Sequence, residues 1–94
     1  MALESTNSMR SVVLASADVA LRARLRDSLL GMRWKVREAG GGAEAMAQLE
    51  EQRPEALLVD SWLPDLEVSE FAGTVQEMFP GIELLRVDGD VLSD

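Results

Sequence analysis

Oxygen is nearly the only chemistry this chain has to offer. It contains no histidine and no cysteine, which removes the commonest general base, the thiol nucleophile, thiolate metal sites and disulfides. Carboxylates, hydroxyls, Lys35 and the arginines remain. Three carboxylates stand out by position. Asp60 directly follows the apolar run at 56–59 (ALLV), Asp18 comes shortly after the run at Ser11–Ala15 (SVVLA), and Asp88 follows the run at 82–87. If each run is a strand, all three acids lie at carboxyl ends of strands. Oxygen ligands gathered there suit Mg²⁺, which takes one or two protein carboxylates and keeps several waters. A carboxylate beside a metal can also act as a nucleophile toward a phosphoryl group. Each position has an ordinary use as well: an Asp after a strand is often a turn former or a helix N-cap. Asp88, followed by Gly89, reads more readily as a turn.

Whether these residues meet depends on the elements that carry them. Ser11–Ala15 is continuously apolar, as a strand buried on both faces would be. In 19–30, Leu21, Leu25 and Leu29 recur every four residues with Arg22, Arg26 and Asp27 between them, which predicts an amphipathic helix. Ser16 or Asp18 is placed to cap it and Gly31 to end it in the C′ role. Residues 34–38 (WKVRE) alternate, as an edge strand does. Gly40, Gly41 and Gly42 predict a turn; they follow the second strand and lack GxGxxG spacing, so they do not read as a phosphate cradle. A second helix is predicted over 43–52, with Ala43, Met46, Ala47 and Leu49 on one side and Pro54 beyond its end. After 56–59 come a loop with Pro64 and Asp65, a third helix over 69–79 and a fourth strand over 82–87. Trp34 and Trp62 read as core or rim packing.

The order β-α-β-α-β-α-β implies an α/β fold with a parallel sheet and right-handed crossovers. The two continuous strands belong in the centre and the alternating one at an edge. That is the strand order 2-1-3-4 of a three-layer flavodoxin-like sheet. In such sheets ligands bind beyond the carboxyl ends of the strands, where strands 1 and 3 adjoin. Asp18 and Asp60 are therefore expected on one rim.

Bulk properties narrow the possibilities further. At 94 residues the chain holds a single domain, and 47% hydrophobic residues exclude general disorder. The net charge of -8, with nine basic residues that form no block, argues against direct nucleic-acid binding. No apolar run approaches the roughly 20 residues that span a bilayer. Residues 1–9 lack the basic and apolar segments of a signal peptide and are expected to be a disordered lead to a domain over 10–94. Absence of cysteine fits a cytoplasmic location.

Three stretches resemble the receiver domains of two-component response regulators. Glu38-Ala39-Gly40-Gly41-Gly42-Ala43-Glu44-Ala45-Met46 is similar to that family's EA-x-x-G-x-EA-L turn. Arg53-Pro54-Glu55-Ala56-Leu57-Leu58-Val59-Asp60 resembles its RPDLVLLD run, and Asp60-Ser61-Trp62-Leu63-Pro64 its D-x-x-L/M-P signature. The likeness runs from residue 10 to residue 89. It implies a signalling module, not an enzyme, in which Asp60 accepts a phosphoryl group from a histidine kinase or phosphotransfer protein and regulates an output domain or partner protein. It implies Mg²⁺ beside Asp60, with Asp18 and the backbone carbonyl of Trp62 toward the metal.

The departures from the family are specific. Ser16 and Ala17 stand where an acidic pair is usual, and Asp18 comes one position late. Asp88 occupies the Thr/Ser switch position, where its charge would repel a phosphoryl oxygen. Val68 replaces a Gly, and the segments for helix 4, strand 5 with its Lys, and helix 5 have no counterpart. Mg²⁺ binding and phosphorylation of Asp60 are accordingly expected to be weak or absent. Strand 4 is expected to be an exposed edge that favours a homo-oligomer, unless the chain is part of a longer protein. The alternative to a receiver, degenerate or not, is a phosphorylation-independent binding or dimerisation module, a pseudo-receiver. An enzyme is a weaker reading, because Asp-nucleophile phosphatases use a DxD pair after strand 1.

Overall fold

The structure, a computed structural model, describes residues 10–87; the expectations for residues 1–9 and for Asp88 lie outside them. Its elements are β1 (Ser11–Ala15), α1 (Val19–Gly31), β2 (Lys35–Ala39), α2 (Gly42–Glu51), β3 (Ala56–Asp60), α3 (Val68–Met78) and β4 (Glu83–Val87). The strands form one sheet in the order β2-β1-β3-β4, and every pairing is parallel. This is the three-layer flavodoxin-like order expected from the sequence. The two continuously apolar runs are central because both of their faces are covered. Val12, Val13, Leu14, Ala15, Leu57 and Val59 are all fully buried.

Side chains alternate across the sheet with the two-residue period of a strand. Val13, Ala15, Leu57 and Val59 face α2 and α3, where they meet Ala45, Leu49, Phe71 and Val75. Leu14 faces the other way, onto Leu21 and Leu25 of α1, and Val12 joins Leu29. Helix α1 thus covers one face of the sheet, and α2 with α3 the other. Among the described residues no helix is long and apolar enough to cross a membrane.

Helix α1 ends differently from the expectation. Gly31 is its last helical residue, and the left-handed position falls on Arg33 (φ 69°). The Trp34 N–H donates to the Leu29 carbonyl and the Arg33 N–H to the Leu30 carbonyl, each at 3.0 Å. This is a Schellman motif, which usually brings a hydrophobic contact between the residues at its two ends. Here Trp34 packs against the apolar cluster that contains Leu29 and Val12. The motif closes the helix without a glycine at the left-handed position. A left-handed residue with a Cβ costs about 1–2 kcal/mol, and the packing of Trp34 offsets it. Trp34 is also stacked by the Arg10 guanidinium, 4.5 Å from the ring centroid. Trp62, in contrast, is 64% exposed and belongs to no core cluster.

Candidate functional site

The register of β1 against β3 pairs Ala15 with Val59, so the next residues, Ser16 and Asp60, emerge side by side at the carboxyl ends of the two central strands. Ser16 is fully buried, the one polar residue so classed among the described residues. Its main chain is pinned from both sides. The Ser16 N–H donates to the Ala39 carbonyl of β2 at 3.0 Å, and Arg22 Nη1 donates to the Ser16 carbonyl at 2.6 Å. Arg22 is itself held by Glu38, Nε to Oε1 at 2.9 Å.

The Ser16 hydroxyl lies 2.8 Å from Asp60 Oδ2 and 3.1 Å from the backbone nitrogen of Asp18. An ionised carboxylate only accepts, and a backbone N–H only donates. The hydroxyl therefore accepts from Asp18 and places its proton on Asp60. Asp60 Oδ1 accepts a further hydrogen bond from the Ser61 N–H at 2.7 Å. Asp60 is half-buried and has a donor on each oxygen.

Asp18 shares the rim, as expected, but its carboxylate is turned to α1. Its Oδ1 accepts from the Leu21 N–H at 3.1 Å, making it the N-cap of that helix. The structure thus brings Asp60 together with the Ser16 hydroxyl and with the backbone of Asp18, not with the Asp18 carboxylate. Trp62 sits in the loop that Asp60 opens, with its ring exposed.

The two carboxylates expected to hold Mg²⁺ are engaged with different partners. The ion would need Asp60 with one further carboxylate or several waters. Asp60 is met instead by a hydroxyl whose proton points at it, and the Asp18 carboxylate caps α1. Among the described residues no group of three acidic side chains converges on a point.

Asp65 is a residue whose role the sequence reading missed. The N-cap of α2 is Gly41, which has no side chain to offer. Asp65 supplies the acceptors from across the chain: Oδ1 takes the Gly42 N–H at 2.9 Å and Oδ2 takes the Ala43 N–H at 3.0 Å. The backbone N–H groups of Ala43 and Gly42 hold the Asp65 carboxyl below its ordinary value of 3.8. The glycine triplet makes room for this loop. A Cβ on Gly42 would overlap the Leu66 side chain, and one on Gly41 would press on the Asp65 carboxylate at 3.2 Å. The signal lay in the triplet itself: a helix that starts on glycines needs a capping acceptor from elsewhere.

No family model matches the chain, and no curated protein matches it. Solved structures do. A response regulator receiver domain protein (CheY-like) from Methanospirillum hungatei JF-1 superposes with a TM-score of 0.82 at 24% identity, over 87% of this chain and 66% of that one. The chain has the receiver fold. The chemotaxis response regulator CheY4 of Vibrio cholerae gives a TM-score of 0.79 at 21% identity, over 84% of this chain and 68% of the other. The response regulator TrrA of Thermotoga maritima, in complex with Mg²⁺-BeF, gives 0.81 at 17% identity, over 92% and 76%. The chain spans about two thirds of the length of the first two. In this receiver fold the crevice between β1 and β3 is built around a serine-to-aspartate hydrogen bond.

Proposed function

We propose that this chain is a signal-transduction receiver module of the degenerate kind, regulating an output domain or partner protein by contact. One observation carries the reading: the Ser16 hydroxyl holds Asp60 from the position where the resemblance would put an acidic residue. A hydrogen bond to an ionised group is stronger than a neutral one, so Asp60 is engaged within the crevice before any donor or metal arrives. The Asp18 carboxylate, capping α1, does not offset this. Mg²⁺ binding at Asp60, Asp18 and the Trp62 carbonyl is accordingly weak or absent, and the module has no reaction of its own. We place it in the cytoplasm, with no direct contact to nucleic acid or membrane.

The second reading, a receiver that does accept a phosphoryl group on Asp60 from a histidine kinase or phosphotransfer protein, is favoured by the position of Asp60. It ends a central strand and is partly open to solvent. In that case Asp88 would hold the switch position. Intact-mass measurement separates the two. The full chain is incubated with Mg²⁺ and a small phosphodonor such as acetyl phosphate, beside Asp60→Asn. The degenerate reading expects no adduct on either; an adduct on the native chain that Asp60→Asn lacks overturns it and establishes the second.

The module is also proposed to self-associate. Among the described residues β4 pairs only with β3, and its Leu85 is 45% exposed. Exposed strand edges favour pairing with another chain.

A further inference from the structure

Helices α2 and α3 carry charge of one sign. Glu44, Glu50 and Glu51 lie on α2, Glu70 and Glu77 on α3, and neither helix contains a Lys or Arg. Helix α1, on the opposite face of the sheet, carries Arg22, Arg24 and Arg26. Between α2 and α3 opens a cleft of about 290 Å³. Its floor is apolar: Met46, Leu66 and Phe71, with Met46 and Leu66 only half-buried. Its lip is Glu67, Glu70 and Thr74, all exposed. Its volume lies at the lower end of the ~300–1,000 Å³ usual for small-molecule sites, enough to admit a large side chain. Met at its floor suits a surface that adapts to what it binds.

We propose that this cleft is a docking site for an amphipathic helix of a partner protein, one that inserts an apolar side chain between α2 and α3 and sets Lys or Arg against Glu67 and Glu70. Charge complementarity selects this occupant. Apolar anchors at helical spacing give a groove-bound helix its affinity, while opposite charge at the rim speeds encounter and rejects acidic partners. The proposal stands apart from the chemistry of Asp60 and survives either result of the phosphodonor experiment.

The test is titration of the full chain, followed by amide NMR, with a synthetic Leu/Lys peptide patterned as an amphipathic helix. Two control peptides keep the pattern, one with Glu for Lys and one with Ser for Leu. Glu67→Gln/Glu70→Gln is compared with Glu50→Gln/Glu77→Gln, which removes the same charge away from the cleft; the amide that replaces the Glu67 carboxylate retains an oxygen to cap α3. Shifts are expected at Met46, Leu66 and Thr74, with affinity about tenfold weaker in the cleft variant and within about twofold in the other. Both control peptides should bind at least about tenfold more weakly. Equal binding of the Ser/Lys peptide, or equal weakening in both variants, would reduce the effect to net charge and overturn the proposal. Equal binding of the Leu/Glu peptide, or shifts confined to β4, overturns it too. Shifts of the cleft amides on concentrating the chain alone would assign the cleft to a second copy and overturn the partner proposed.

Discussion

Ser16 and Asp60 show how one side chain changes what a crevice can do. A hydroxyl at the end of β1 neutralises nothing, but it supplies a proton and so satisfies a carboxylate without a cation. A second carboxylate there reverses the situation. In Ser16→Asp, two like charges ~4 Å apart would repel by about 4 kcal/mol at an effective dielectric of ~20. The variant is expected to melt below the native chain in metal-free buffer and to recover with added Mg²⁺, while the native melting temperature stays flat. Thermal denaturation with and without Mg²⁺ checks this, and a native chain that responds equally would sink the account. Asp65 gives a pH-dependent counterpart. Its folded value is lowered, so its stabilising contribution is complete above the ordinary value of 3.8 and is lost as pH falls through the lowered one. The amide resonances of Gly42 and Ala43 should therefore titrate below pH 3.8, and the titration should be missing in Asp65→Asn. The candidate Asp60 was legible because a continuous apolar run led straight to it. The actual use of Asp18 was one of two readings its position allowed. The partner of Asp60 was not legible, since that hydrogen bond joins residues far apart in sequence and needs the β1–β3 register to be seen.

At the level of elements, pattern located every helix and strand to within one or two residues and offered the Asp18 cap of α1, but it missed the stop of α1 and the cap of α2. Leucines every fourth residue gave α1, yet it closes through a Schellman motif with Arg33 in the left-handed position, and not at Gly31. On α3, Phe71 and Val75 are buried, as is Phe79 just beyond its end, while Met78 is 49% exposed. Two glycines now make opposite predictions. Gly73 lies within α3 with open space where a methyl group would stand, whereas Gly42 begins α2 against Leu66. Gly73→Ala is expected to stabilise by about 0.5–1 kcal/mol, the ordinary helix gain. Gly42→Ala gains the same propensity but must displace Leu66, an overpacking cost of about 1–3 kcal/mol, and is expected to lose about 1–2 kcal/mol net. Urea denaturation of the two variants checks both signs; a stabilising Gly42→Ala would mean that Leu66 moves aside freely.

Across the whole molecule the alternation of strand residues divides the sheet into two differently covered faces. Strand order was readable because the degree of apolar continuity reports how many faces are covered: both for β1 and β3, fewer for β2. Helix charge was readable too, but its segregation to opposite faces emerged only with the topology. β4 is bordered by one strand among the described residues, which predicts concentration-dependent association. Sedimentation across a wide concentration range should show a rising mass, and Leu85→Lys, placing a charge on that strand, should suppress it. A constant monomer mass at the highest concentration would remove the edge from consideration.

The segment from Asp60 to Leu66 is fastened at both ends. At its start the hydroxyl of Ser16 grips Asp60; near its finish Asp65 grips the first turn of α2, and Leu66 lies against Gly42. The loop between these two anchors is thereby fixed to both β1 and α2. Shifting either end of this span means giving up a hydrogen bond: Ser16 to Asp60 at one end, or Asp65 to the first turn of α2 at the other.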